Sequence, residues 1–370
     1  MKIEKIVLRK MKIKFKKPFQ ISSATMAEKH FIFVEVHSKD HVGYGDCSAL
    51  QHPFYNEETN ETAWHILSDF LIPILYSHDE IAHPEELYDM FAHVRRNKMA
   101  KSSLDCAVWD LYCKENNISL SKALGGTRKK VETGISIGIQ ESKEALLESV
   151  EKFMAEGYKR VKMKIKPGKD IKYLEYVRKH HSDIMIMADA NSAYTLNDID
   201  LFKEMDHLNM IMIEQPLDHD DIVDHAKLQA AIKTRVCLDE SIHSVEDARK
   251  AIELGSTKTI NIKVARVGGL TAAKKVHDLC ASYDIPVWCG GMLDTGIARA
   301  HNLAIASLPN YKFPGDLPAS TRYYERDLID PPMVIDADSM IAVPEKPGIG
   351  FEPIPEMVEK LTYEKKVFLR

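Results

Sequence analysis

Lys164, Asp189, Glu214, Asp239 and Lys263 follow one another at spacings of 25, 25, 25 and 24 residues, and each closes a short apolar run. The runs are VKMK, IMIMAD, MIMIE, RVCLD and KTINIK. Three carboxylates brought to one place repel one another unless a cation lies between them. All-oxygen ligands favour a hard ion, Mg²⁺ first and Mn²⁺ second, with positions left for water or substrate. No His or Cys stands at these places to suggest zinc. The lysines flank the acids in the order Lys, Asp, Glu, Asp, Lys. A nearby dication and burial both disfavour an ammonium, so either amine could take up a proton near neutral pH. That set suits removal of a proton next to a carboxylate, with the metal stabilising the enediolate that forms.

Taken singly, each of these residues has an ordinary explanation. An acid after a strand often caps the next helix, and a lysine at a strand end usually meets water. The shared register of all five makes those explanations weaker. Among the neighbours, Asn191 and Glu240 could support the ligands. Lys162 would lie one layer deeper than Lys164, tuning it by like-charge repulsion or touching the metal's surroundings. Lys166 is expected in solvent. Arg266 could either shift the pKa of Lys263 or bind solvent.

A period of about 25 residues is the length of a strand, a loop, a helix and a second loop. The polar residues then sit at the carboxyl ends of successive strands, where a β/α barrel carries its chemistry. Strands are predicted at 132–139, 160–165, 184–189, 210–214, 235–239, 258–263, 286–290 and 311–314. Helices are predicted at 143–156, 170–180, 196–206, 219–232, 245–254, 270–283 and 295–307. The pattern is an α/β fold, a modified TIM barrel of the form (β/α)7β, over residues 126–317. An open doubly wound sheet is the competing architecture, but no GxGxxG follows the first of these strands.

The first 125 residues read differently, with strands at 1–15 and 30–37 and a third entered through a turn at Gly43-Tyr44-Gly45. Residues 16–25, KKPFQISSAT, read as a loop. Helices follow from Asn56 or Thr59 to about Leu75, from Pro84, and over 99–116. This is an α+β unit that would cap the barrel, joined to it at Leu124-Gly125-Gly126. Residues 318–370 are expected to pack back on that cap.

The chain has 370 residues, 28% charged and 45% hydrophobic, with a formal net charge of −5. Nothing in that balance calls for nucleic acid or a membrane as partner, and no apolar run is long enough to span a bilayer. The N-terminus has no signal-peptide core. Six cysteines without a CxxC pair suggest reduced packing residues and a cytoplasmic location. The expected partners are a small carboxylate substrate and further copies of the same chain.

Several stretches resemble the enolase superfamily, in its muconate-lactonizing subgroup, marked by K-x-K on the second barrel strand. They are FYNEET (54–59), MAKSSLDCAVWDLY (99–112), GYKRVKMKIKPG (157–168), MADANSAYTL (187–196), MIEQPL (212–217), VCLDES (236–241), INIKVARVGGL (260–270) and VWCGGMLDTGIARAHN (287–302). The lysine and Mg²⁺ arrangement is a known one for that superfamily. Within it the chain is most similar to the o-succinylbenzoate synthase and N-succinylamino acid racemase group. The resemblance implies Lys164 and Lys263 as acid and base, Asp189, Glu214 and Asp239 as Mg²⁺ ligands, and a cap over the mouth. It implies a syn dehydration in which Lys164 takes the proton alpha to a carboxylate and returns it to the departing hydroxyl. Lys263 then stays cationic, whereas in racemisation both lysines act, one on each face. Racemisation as the main role is the alternative, and a non-catalytic binding barrel is the second. Phe19, Ser22, Ser23, Phe54 and Tyr55 would enclose the substrate from the cap's loops, and Gly291 and Met292 from the barrel. Asp294 and Asp46 stand where the group usually has Glu. The Asp-x-Asp pair of dipeptide epimerases is absent.

Overall fold

The computed structural model describes residues 1–20 and 25–370. Seven parallel strands form one sheet in sequence order: Gly134–Ile137, Arg160–Lys164, Met185–Asp189, Ile213–Glu214, Val236–Leu238, Thr259–Ile262 and Val287–Cys289. Along the second of them, side chains alternate between the two faces of the sheet. Val161, Met163 and Ile165 are at most 2% exposed and pack in the hydrophobic core, while Lys162 on the other face is 4% exposed. The barrel's interior core holds Met187, Met212, Cys237 and Trp288. Helices Lys143–Ala155, Ile171–His180, Ile199–Met205, Val223–Ala231, Val245–Leu254, Leu270–Ser282 and Gly296–Ala306 alternate with the strands. Ser142 and Ser244 begin two of them, each accepting a hydrogen bond from a first-turn backbone N–H.

The strand expected at 311–314 is a closing segment and not a continuous ladder. Tyr311 bridges Val287 on one sheet edge and Gly315 bridges Thr133 beside the other. Backbone bonds Lys312 N to Val287 O (2.9 Å), Asp316 N to Cys289 O (2.8 Å) and Gly134 N to Gly315 O (2.8 Å) join the two edges. Pro314 lies within the segment and has no N–H to donate, which limits the pairing to isolated bridges. The barrel therefore closes with an eighth, irregular stave.

At the N-terminus an antiparallel sheet has the order Thr362–Leu369, Lys5–Gln20, Thr25–His37, Val42–Cys47. Two expectations are corrected here. Residues 16–20 and 25 belong to a long hairpin and not to a loop, with Phe19 paired to Met26 and Gln20 to Thr25. Ser22 and Ser23 lie outside the described residues. The second correction concerns Gly43-Tyr44-Gly45, which is strand and not turn. A Cβ on Gly43 would lie 2.0 Å from the Ala107 carbonyl, and one on Gly45 2.0 Å from that of Ser103. The glycines are there because the helix Lys98–Glu115 approaches the strand backbone.

That helix ties the N-terminal sheet to the barrel. Trp109 Nε1 donates to Thr271 Oγ1 at 2.9 Å, and Thr271 Oγ1 donates to Asp105 at 2.7 Å. Before it, Thr59 caps a helix that begins at Asn60 and runs through a π-turn to Tyr76, and a short helix spans Glu86–Met90.

Candidate active site

Parallel pairing sets Lys164 beside Asp189 and Asp189 beside Glu214, and Glu214 beside Cys237, two residues before Asp239. Four of the five charged residues are buried and Lys164 is partly so, with the three acids at 1%, 0% and 1% exposure in chain order. Lys164 Nζ lies 2.6 Å from Asp189 Oδ2 and 2.5 Å from Asn191 Oδ1. Lys263 Nζ lies 2.7 Å from Asp239 Oδ2 and 2.9 Å from the Tyr55 hydroxyl. Lys162 Nζ reaches Asp316 (2.6 Å), Glu214 (3.1 Å) and Asp189 (3.3 Å), with the Trp288 ring centroid 5.0 Å away. Arg266 is buried and donates to Asp239 Oδ1, to the Ile242 and Asn261 carbonyls, and to Tyr55 at 3.2 Å.

One of the two readings of Arg266 falls away on this geometry. Arg266 does not bind solvent: it is 1% exposed and shares Asp239 and Tyr55 with Lys263. Burial alone would favour neutral lysines, yet the pKa values of Lys162 and Lys263 are raised. For Lys162 burial is opposed by Asp316, Glu214 and Asp189, and for Lys263 by Tyr55, Glu240 and Glu214. Burial likewise works against Asp189, and Lys164 and Lys162 overcome it to hold that carboxyl well below the usual range. Lys162 thus lies paired with the three carboxylates around it.

Each acid has a cation against it, and among the described residues no group of three His, Cys, Asp or Glu side chains surrounds one point in a way that could hold a metal ion. The donor set still fits a hard divalent ion. It consists of carboxylates only, and Glu214 is raised by burial and by the neighbouring Asp189, a repulsion that a cation relieves. Beside it, Asn191 Nδ2 donates to Glu240 Oε1 at 2.9 Å, while Glu240 Oε2 is buried without a partner.

Phe54 and Tyr55 line a cleft of about 700 Å³ together with Asn191, Ser192 and Glu240. Met292 packs its side chain into the cap's core at 8% exposure and borders, with Lys263 and Asp294, a cavity of about 20 Å³. Gly291 meets the Asp316 carbonyl, 2.9 Å from where a Cβ would be. Asp46 and Asp294 are buried between cap and barrel, where Asp46 accepts from Thr295 (2.7 Å) and Asp294 from Asn302 (3.0 Å). Lys166 is exposed.

Sequence reasoning missed Asp316 and Asn261. Asp316 follows the closing stave as the other acids follow theirs, and Asn261 precedes Lys263 by the same two residues that separate Lys162 from Lys164. Asn261 Nδ2 donates to Glu214 Oε1 at 2.7 Å. The period-two pattern was the available signal for Asn261.

Two family models match. Residues 145–357 match "Enolase C-terminal domain-like", and residues 3–125 match "Mandelate racemase / muconate lactonizing enzyme, N-terminal domain". An o-succinylbenzoate synthase of Geobacillus kaustophilus is 50% identical over 369 residues, covering 100% of this chain and 98% of the relative. An N-succinylamino acid racemase of Amycolatopsis is 38% identical over 366 residues, covering 99% of both. A crystal structure of an enolase superfamily member from Listeria innocua superposes with a TM-score of 0.97 at 40% identity, covering 100% of this chain and 99% of that one.

Proposed function

This chain belongs to the enolase superfamily, in its mandelate racemase and muconate lactonizing branch, and from that premise we propose that it catalyses the o-succinylbenzoate synthase reaction. The reaction is the syn dehydration of 2-succinyl-6-hydroxy-2,4-cyclohexadiene-1-carboxylate to 2-succinylbenzoate, a hydro-lyase step of menaquinone synthesis. Racemisation of N-succinylamino acids is a second activity of the same site, supported by the relatives that bear that name. The observation that carries the reading is full-length identity of 47–50% to three synthases, set beside two lysines that flank three buried carboxylates.

Asp189, Glu214 and Asp239 are the residues that would hold Mg²⁺. When bound, the ion supplies positive charge for the substrate carboxylate as its α-carbon loses a proton. Lys164 takes that proton and delivers it to the departing hydroxyl on the same face. Asn191, 2.5 Å from Lys164 Nζ, orients the amine. Lys263, held by Asp239 and Tyr55, faces the substrate from the opposite side as a cation in dehydration and exchanges a proton in racemisation. Phe19, Ser22, Ser23, Phe54 and Tyr55 from the cap, with Gly291 and Met292 from the barrel, form the substrate enclosure in this reading. The six buried free cysteines support a reducing compartment, the cytoplasm, for an enzyme that works as a homo-oligomer.

The test is to compare kcat/KM for the cyclohexadiene substrate with that for N-succinyl-L-phenylglycine racemised in D₂O. Dehydration is expected to be fast, lost on chelation and restored by Mg²⁺. Negligible dehydration beside rapid racemisation would make the racemase the main role.

A further inference from the structure

The helix Lys98–Glu115 begins beside a cleft of about 190 Å³ that none of the five charged residues above lines, with Arg96 bordering both it and the cleft of Phe54 and Tyr55. Arg95, Arg96, Lys98 and Lys101 line it against one carboxylate, Asp105. Its volume far exceeds the roughly 10–15 Å³ that one water needs. On the barrel side it is walled by Val267 and Gly268, just beyond the short helix Val264–Val267 that follows Lys263.

Asp247 and Glu58 act on these cations from nearby, but no carboxylate pairs with either cleft lysine. Lys101 is only 9% exposed, and its ammonium donates to the Val94 carbonyl. Among the described residues neither Lys98 nor Lys101 forms an ion pair. The nearby acids are engaged elsewhere: Asp105 accepts from Thr271 Oγ1 and N, and Glu58 from the Met99 and Ala100 N–H groups at 2.8 and 3.0 Å. Burial lowers the pKa of Lys98, and burial with the charge of Lys98 lowers that of Lys101 to about 8. Positive groups held together in a partly dry cleft cost free energy that an incoming anion recovers. Ammonium groups and guanidinium forks are the donors by which a tetrahedral dianion is held.

We propose that this cleft between cap and barrel binds a small doubly charged oxyanion, a phosphate, either free or as a monoester. The anion would sit against the segment that follows Lys263, with Arg96 between it and the cleft of Phe54 and Tyr55.

Calorimetric titration of the Mg²⁺-loaded enzyme with inorganic phosphate, and separately with glycerol 3-phosphate, tests this at fixed ionic strength against chloride. The tighter of the two identifies the free anion or the ester as the ligand form. Because phosphate could also enter the catalytic mouth, three proteins are compared: wild type, Lys98→Gln and Lys164→Ala. Lys98 is half-buried and outside the catalytic set, and circular dichroism melting verifies that its variant folds; Arg95→Gln, at an exposed position, repeats the test independently. Lys98→Gln and Arg95→Gln are expected to weaken binding about tenfold or more, with Lys164→Ala unchanged. Absence of binding in wild type would overturn the proposal. So would unchanged affinity in both cleft variants, or a loss confined to Lys164→Ala.

Discussion

The Tyr55 hydroxyl is 2.9 Å from Lys263 Nζ and 3.2 Å from Arg266 Nη1, so one phenol of a cap loop bonds two buried cations of the barrel. A hydrogen bond to a charged group contributes about 1.5–3 kcal/mol. Tyr55→Phe keeps the ring over the ammonium, at 4.7 Å, and removes only the oxygen. Racemisation, in which Lys263 must move a proton, is predicted to fall about tenfold or more in kcat/KM, and dehydration to fall less. Equal losses in the two assays would show that the phenol serves the fold of the loop and not the proton traffic of Lys263. At this scale the sequence displayed the five charged residues because strand periodicity repeats them at one spacing. The partners of Lys162 and Arg266 were hidden, since Asp316 and Tyr55 arrive from segments 154 and 211 residues away in the chain.

Asp105 belongs to the scale of elements, because its carboxylate joins the cap helix Lys98–Glu115 to the start of the barrel helix Leu270–Ser282. Burial raises its pKa from 3.8 to about 7, against the hydrogen bonds from Thr271. A folded-state pKa above the unfolded value means that the folded protein binds the proton more tightly. Stability from this group is therefore full below its ordinary value of 3.8 and is lost as pH rises to about 7. Asp105→Asn is predicted to flatten that part of the stability profile, as read by urea unfolding across the interval. An unchanged slope would contradict the assignment. Elements with a clear period were legible in the sequence, notably the barrel strands and the helices between them. Three were misread where local chemistry pointed one way and packing another. The glycines at 43 and 45 suggested a turn, but they admit the helix backbone; Pro18 suggested a loop through residues 16–20, which are strand; and Pro314 broke up a strand that still closes the barrel.

For the whole molecule, two sheets share one task. The barrel lines up its charged strand ends at one mouth, and the N-terminal sheet, completed by the strand Thr362–Leu369, supports the helix and loops packed against it. The fold class was readable from alternation of strand and helix, and a return of residues 318–370 to the cap was expected, whereas the particular edge beside Lys5–Gln20 was not, because no local pattern encodes which edge a terminal strand will join. In the proposed reaction Lys164 carries the proton. The most direct measurement is the dehydration rate of Lys164→Ala with Mg²⁺ saturating and folding verified by circular dichroism. A loss of at least about 10²–10⁴-fold in kcat is expected. Turnover near the wild-type rate would contradict it.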